Sequence, residues 1–290
     1  QALLDAYKKW ALLGVDGFRM DTVKHVEEGF WDVFSPGIRE AVKNAAATKK
    51  FMQFGEALIG SHAKMATFAS GSRLDSMLNF DLFYKIHNVF SGGGATSNLT
   101  TELSDRAKLM RGTAISDGGA GVSAVDGAIN FIDNHDEGRF ISTSGNEIQK
   151  RKMYNALMYI MTTRGIPCIY YNTENEVVGS KEAGRHKMPD FETKNKAAFT
   201  LIRKLSKIRT DNVSLRRGDM EVLKDAASSG VFAFARYNGT ASENVIVVMN
   251  TSNVEIEETI NLKTYSTDGD VLKNILFAEF GITDTVTVSG

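Results

Sequence analysis

Two rhythms of apolar and polar positions divide the chain. Up to about residue 210, short apolar runs alternate with longer stretches whose apolar residues recur every three or four positions. Residues 1–13 put Leu3, Leu4, Tyr7, Trp10 and Ala11 on one helical face, and Gly14 follows as a stop. Further helices are predicted near 27–47, 147–164 and 194–209. Between them lie five strand-like runs, at 17–21, 51–55, 76–80, 128–132 and 168–171. Strands alternating with helices predict βαβ units and a parallel sheet, an α/β fold. After about residue 215 the runs Val231 to Tyr237, Val245 to Met249 and Val286 to Val288 are β-type, with turn signals at Asn238-Gly239 and Asp268-Gly269. This pattern predicts a first domain over 1–212 and a small antiparallel β-domain over 213–290.

Composition narrows the partners. Of 290 residues, 42% are apolar and 24% charged, and the net charge is −1, an ordinary balance for a globular protein. No run approaches the roughly 18 apolar residues of a membrane span, and no long basic run is present. Neither nucleic acid nor a membrane is the expected partner, whereas a neutral molecule such as a sugar fits. A single cysteine, Cys168, forms no internal disulfide. Its apolar neighbours make it a small filler of a buried strand. Gln1 leads directly into a predicted helix, and processing or truncation is expected to have removed whatever precedes it.

Three acidic residues stand out by position. Asp21, Glu56 and Asp136 each fall at, or just past, the C-terminal end of a predicted strand. In a (β/α)₈ barrel that end carries the active site. Adjacent parallel strands lie about 4.7–4.9 Å apart, so acids ending neighbouring strands meet the separation of about 5–5.5 Å that a retaining glycosidase needs. Taken alone, Asp21 before Thr22 reads equally well as a helix N-cap. Glu56 alone reads as a salt-bridged structural glutamate.

The local wording adds to this. Gly17-Phe18-Arg19-Met20-Asp21-Thr22-Val23-Lys24-His25 resembles the nucleophile motif of the α-amylase family of glycoside hydrolases. Phe54-Gly55-Glu56 resembles its acid/base motif, and Phe131-Ile132-Asp133-Asn134-His135-Asp136 its transition-state-stabiliser motif. The resemblance runs on through Gly165-Ile166-Pro167 and Ile169-Tyr170-Tyr171 into a terminal β-domain. It implies a partial (β/α)₈ TIM barrel with about five of the eight strands. It also implies a retaining enzyme acting on α-1,4-glucans, secreted as family members are.

By the same resemblance Asp21 is the nucleophile, Glu56 the general acid and then base, and Asp136 the transition-state stabiliser. Arg19, two residues before Asp21 on the same strand face, can pair with that carboxylate. His135 matches the histidine that bonds the sugar being cleaved, and Lys24 and His25 match leaving-group contacts. The His25 carbonyl matches a ligand of Ca²⁺. Arg185 matches an arginine of a more distant glucose subsite, although Lys181 stands where its aspartate is expected. Asp133 is read as structural. His62, His87 and His186 show no metal-ligand spacing, and the Gly92–Gly94 and Gly118–Gly121 segments are read as flexible connections.

Cyclodextrin-forming relatives carry two aromatics after the acid/base glutamate. Here those positions are Ala57 and Leu58, which favours hydrolysis over the alternative, glucanotransfer. A non-catalytic glucan-binding homologue is a further alternative, although all three carboxylates are present. The family's first three strands have no counterpart, so the chain is expected to be part of a longer polypeptide and to be inactive and aggregation-prone alone.

Overall fold

The computed structural model describes residues 1–188, 196–276 and 285–289. The chain forms two compact units, one of residues 1–84 with 101–130, the other of 85–100 with 131–290.

The first unit opens with α1 (Ala2–Leu12), ended by Gly14 at φ +112°. Its apolar face divides. Leu4 and Ala11 are buried, whereas Leu3 and Trp10 are about 60% exposed, so the sheet side takes every third or fourth position and leaves the neighbouring ones out. Helix α2 (Glu28–Ala45) buries Trp31, Phe34, Ile38 and Val42 at helical spacing. Gly37 lies against Leu4 of α1, where a Cβ would stand 2.9 Å from its methyl carbon.

Strands β1 (Gly17–Met20), β2 (Met52–Gly55) and β3 (Ser76–Met77) form a parallel sheet in that order. Its register pairs Gly17 with Met52, Met20 with Gly55, and Gly55 with Met77. A parallel bridge from Leu78 to Ile129 brings in β4 (Ile129–Asn130). The strands are shorter than the apolar runs that announced them, because Phe80 already begins α4 (Phe80–Ile86). Helix α3 (His62–Phe68) belongs to this unit, as does α5 (Ser97–Leu109) from residue 101 on.

The core is aromatic and aliphatic, with Phe18 and Phe51 edge to face at 4.9 Å. Inside it Asp75, fully buried, pairs with Arg39 at 3.1 Å and accepts the Gln53 N–H at 2.8 Å. The Gly118–Gly121 segment is tied rather than loose. Ala120 N–H donates to Asp75 at 2.9 Å, and a Cβ on Gly119 would stand 2.7 Å from that of Ile115.

The second unit contains a π-helical turn (His87–Ser91), α6 (Glu147–Thr162) and the two-residue strand β5 (Ile166–Pro167). Asn146 caps α6 by accepting the Gln149 N–H at 2.9 Å. β5 precedes the run expected to be a strand. Cys168 is consequently not a buried strand filler: it follows the strand and is exposed.

Helices α7 (Ala197–Asp211) and α8 (Val213–Arg217) lead to an antiparallel sheet of β6 (Asp219–Lys224), β7 (Val231–Tyr237) and β8 (Val245–Asn250). Residues 194–195, expected to open α7, lie outside the described residues. In β7, Phe232 and Phe234 meet the ring of Tyr159 at 5.9 and 6.1 Å. A second antiparallel pair joins β9 (Val271–Lys273) to β10 (Thr285–Thr287). Among the described residues no helix is long and apolar enough to cross a membrane.

Candidate active site

In the first unit the β1–β2 ladder runs past the strand ends. Glu56 N–H donates to Met20 O at 2.7 Å, and Val23 N–H to Glu56 O at 2.9 Å. Between them Thr22 turns left-handed, at φ +49°, a conformation that a β-branched residue rarely adopts. The turn aims the Thr22 N–H at the Glu56 side chain, whose Oε2 accepts it at 2.9 Å. Glu56 is 7% exposed, so its carboxylate is held at the start of the chain segment that follows Asp21. Beside it Gly55 is closely packed: a Cβ there would stand 2.7 Å from the side chains of both Leu74 and Met77.

The Asp21 side chain is 67% exposed and receives the Arg19 guanidinium at 2.7 Å, the pair expected from their positions on β1. Lys24 reaches over the segment after Glu56, its Nζ donating to Leu58 O at 3.3 Å. Arg19, Asp21, Lys24 and Glu56 are therefore gathered at the ends of β1 and β2. His25 closes a short 3₁₀ turn, Val23–His25, and its side chain is exposed.

In the second unit Asn134 organises the third motif. Its side-chain oxygen accepts the N–H groups of Asp136 at 2.9 Å and Glu137 at 2.7 Å. The Asp136 carboxylate lies between two cationic or potentially cationic groups, His135 Nε2 at 3.2 Å and Arg185 at 3.4 Å. Arg185 Nε also donates to His135 O at 2.9 Å. The arginine assigned to a distant subsite thus sits on the third carboxylate of this chain, and it contacts Glu182 at 3.2 Å as well.

Asp133 behaves as a structural acid. It is 2% exposed, both oxygens accept the Thr173 hydroxyl at 2.9 Å, and Arg139 stands 3.9 Å away. Burial outweighs these partners and pushes its carboxyl up to about 6. Arg139 in turn lies over the rings of Tyr170 and Tyr171 at 4.3 and 5.0 Å. His87 is also structural: burial lowers its pKa, and its Nε2 meets Ile132 O at 2.8 Å.

A calcium ion takes about 6–8 oxygens, of which the expectation assigns one to this segment, the His25 carbonyl. Among the described residues the side-chain group able to hold a metal is His62, Asp81 and Glu102, which excludes His25. His62, read from sequence as showing no metal-ligand spacing, meets two carboxylates through the fold. Residues 62, 81 and 102 are too far apart in the chain to form a motif. Thr22 and Asn134 were missed for a different reason: both lie inside the recognised motifs, but one acts through its own backbone N–H and the other by accepting backbone N–H groups of its neighbours.

The model of the α-amylase catalytic domain matches residues 1–217. The chain belongs to the α-amylase family of catalytic domains. It is 33% identical over 280 residues to a cyclomaltodextrin glucanotransferase of Bacillus licheniformis, covering 94% of this chain and 35% of that protein. A cyclomaltodextrin glucanotransferase of Niallia circulans is also 33% identical, over 252 residues, covering 86% and 32%. The chain spans about a third of the length of these curated relatives. An Anoxybacillus α-amylase structure superposes with a TM-score of 0.79 at 23% identity, covering 100% of this chain and 58% of that one. A three-domain cyclomaltodextrin glucanotransferase structure gives 0.77 at 27%, covering 94% and 52%.

Proposed function

We propose that this chain carries the acid/base and nucleophile of a retaining enzyme acting on α-1,4-glucans. The observation that carries this reading is the hold of Glu56 on Thr22 N–H, one residue beyond Asp21, on adjacent parallel strands. Glu56 protonates the leaving glycosidic oxygen while Asp21 attacks the anomeric carbon to form a glycosyl ester. Glu56 then takes the proton of the incoming hydroxyl as the ester is cleaved. Arg19 orients the attacking carboxylate through its 2.7 Å charge-assisted hydrogen bond. The role of Asp136 as stabiliser rests on its motif, with His135 and Arg185 as its neighbours. Lys24 and His25 are assigned to the leaving-group side by the same motif. The chemistry proposed for Asp21 and Glu56 does not use calcium.

The incoming hydroxyl decides between hydrolysis and transfer. Ala57 is fully buried and cannot stack on a sugar, and Leu58, 45% exposed, is aliphatic. Neither holds an acceptor ring, which supports hydrolysis of starch-like glucans. Transfer is the second reading, favoured by the names of the relatives, which are cyclomaltodextrin glucanotransferases. The test is to incubate the full-length enzyme with soluble starch and follow reducing ends and cyclic products together, using Asp21→Asn as control. Reducing ends without cyclic products support hydrolysis, and cyclic products support transfer. Turnover by the control at the wild-type rate would overturn the whole assignment.

A further inference from the structure

Helices α3, α4 and α5 each contribute one side chain to a point inside the first unit that the glycosidic chemistry does not use. His62 is the first residue of α3, Asp81 lies in the first turn of α4, and Glu102 is in the middle of α5. Their side chains are 1%, 17% and 0% exposed. His62 Nε2 stands 3.1 Å from Glu102 Oε1 and 3.3 Å from Asp81 Oδ2, and the three ligand atoms all lie within 4.8 Å of one another.

One imidazole nitrogen thus faces two carboxylate oxygens at nearly equal distance. A single N–H aligns well with only one acceptor. A divalent ion at bond lengths of about 2.0–2.2 Å holds tetrahedral ligand atoms roughly 3.3–3.6 Å apart, and the two spacings from His62, 3.3 and 3.1 Å, lie at and just under that range. Glu102 gives a second, independent sign. Its carboxylate is fully enclosed and Oε2 has no hydrogen-bond partner, so the charge is met on Oε1 alone, and an enclosed carboxylate so placed costs stability unless a further cation stands beside it. The other oxygen is oriented from outside the trio, by Asn79 Nδ2 at 3.0 Å and Arg106 Nε at 3.4 Å. Such partners fix a ligand carboxylate in metal sites. The two carboxylates outnumber the one guanidinium beside them, Arg106.

We propose that His62, Asp81 and Glu102 form a site for a transition-metal dication of the Zn²⁺ or Co²⁺ type. One nitrogen and two carboxylates suit that class, whereas calcium requires more oxygens than the trio offers. The ion cross-links three helices. It also anchors the start of α3, six residues after Glu56, and so braces the connection that carries Leu58. Its role is structural, and it is independent of the assignment of Asp21 and Glu56.

The test strips the purified protein with a chelator, titrates it with Co²⁺ and follows the visible absorption of the ion, with Zn²⁺ as competitor. The expected result is one Co²⁺ per chain with a low-symmetry, intensified spectrum that Zn²⁺ bleaches, and a thermal midpoint raised by Zn²⁺. His62→Gln and Asp81→Asn should each bind at least about tenfold more weakly. Asp81 is the least buried of the three, so Asp81→Asn decides should His62→Gln fail to fold. Asp21→Asn should bind the metal as wild type does, whatever its activity. Substoichiometric binding by the wild type, or undiminished binding by Asp81→Asn, would overturn the proposal and leave the trio as a hydrogen-bonded cluster.

Discussion

The carboxylate of Glu56 accepts the backbone N–H of Thr22 at 2.9 Å, and Thr22 can offer that N–H because its backbone is left-handed at φ +49°. The carboxylate proposed as acid/base is thus fixed to the residue directly after the proposed nucleophile. Strain in the backbone is the means. Residues held in sparsely populated regions cluster at active sites and persist where surrounding bonds over-determine them. Here the two ladder bonds flanking Thr22, from Glu56 N–H and to Glu56 O, do so.

Replacing Thr22 with glycine separates the strain from the hydrogen bond. Glycine adopts this φ without steric cost, so the native state should gain up to about 1–2 kcal/mol of relief. The added backbone freedom of the unfolded chain offsets about 0.5–1 kcal/mol of that. The N–H remains, so glucan cleavage should stay within about tenfold of wild type. Chemical denaturation and steady-state kinetics check both. A drop in stability of more than about 1 kcal/mol would show that the Thr22 side chain, not its backbone, holds the turn.

Asp21→Asn and Glu56→Gln should fail in different ways. The amide at position 21 cannot form the glycosyl ester, so turnover should vanish while glucan affinity stays within a few-fold. Loss of the general acid at 56 should cost about 10²–10⁴-fold on starch. Much of that should return, for the first step, on a glucoside with a good leaving group, which needs no proton. Equal losses on both substrates for Glu56→Gln would reassign Glu56 to binding.

What could be read from sequence divides along physical lines. Helices α1, α2 and α6 were legible because long stretches repeat their apolar residues at helical spacing. Motif wording located Asp21, Glu56 and Asp136. The run from Cys168 to Tyr171 misled, because aromatic residues favour strands in general. In this fold Tyr170 and Tyr171 instead stack with Arg139, and the Tyr171 hydroxyl donates to His186 O at 2.7 Å. β6 was missed since Asp219, Glu221 and Lys224 break its apolar signal. The short α3 and α4 offer too few turns for a period to show. The meeting of His62 with Asp81 and Glu102 depends on how three helices pack, and local sequence carries no trace of it.

Acceptor choice should respond to Leu58 alone. It is exposed, so Leu58→Trp can present a ring to an acceptor sugar and should raise the ratio of transfer to hydrolysis severalfold. Ala57→Trp puts a large side chain at a fully buried position and should destabilise by about 1–3 kcal/mol or more through overpacking. Product analysis on maltooligosaccharides, with thermal melts, distinguishes the two. An unchanged product ratio in a well-folded Leu58→Trp would show that acceptor binding is set by other residues.

Asp133 should make stability fall as pH rises across the mildly acid range. Burial raises its carboxyl from an ordinary 3.8 to about 6 in the folded state, so between those values the folded chain binds more protons than the unfolded one. Stability contributed by this group is then fully present below about pH 4 and is lost as pH climbs through 6. A shift of that size corresponds to about 3 kcal/mol at most. Asn at this position can still bond Thr173 but does not titrate. Relative to wild type, Asp133→Asn should therefore become progressively more stable between pH 4 and 7. Paired urea melts at several pH values measure the difference. A gap that stays flat, or closes in the opposite direction, would mean that Arg139 and Thr173 hold Asp133 ionised despite its burial.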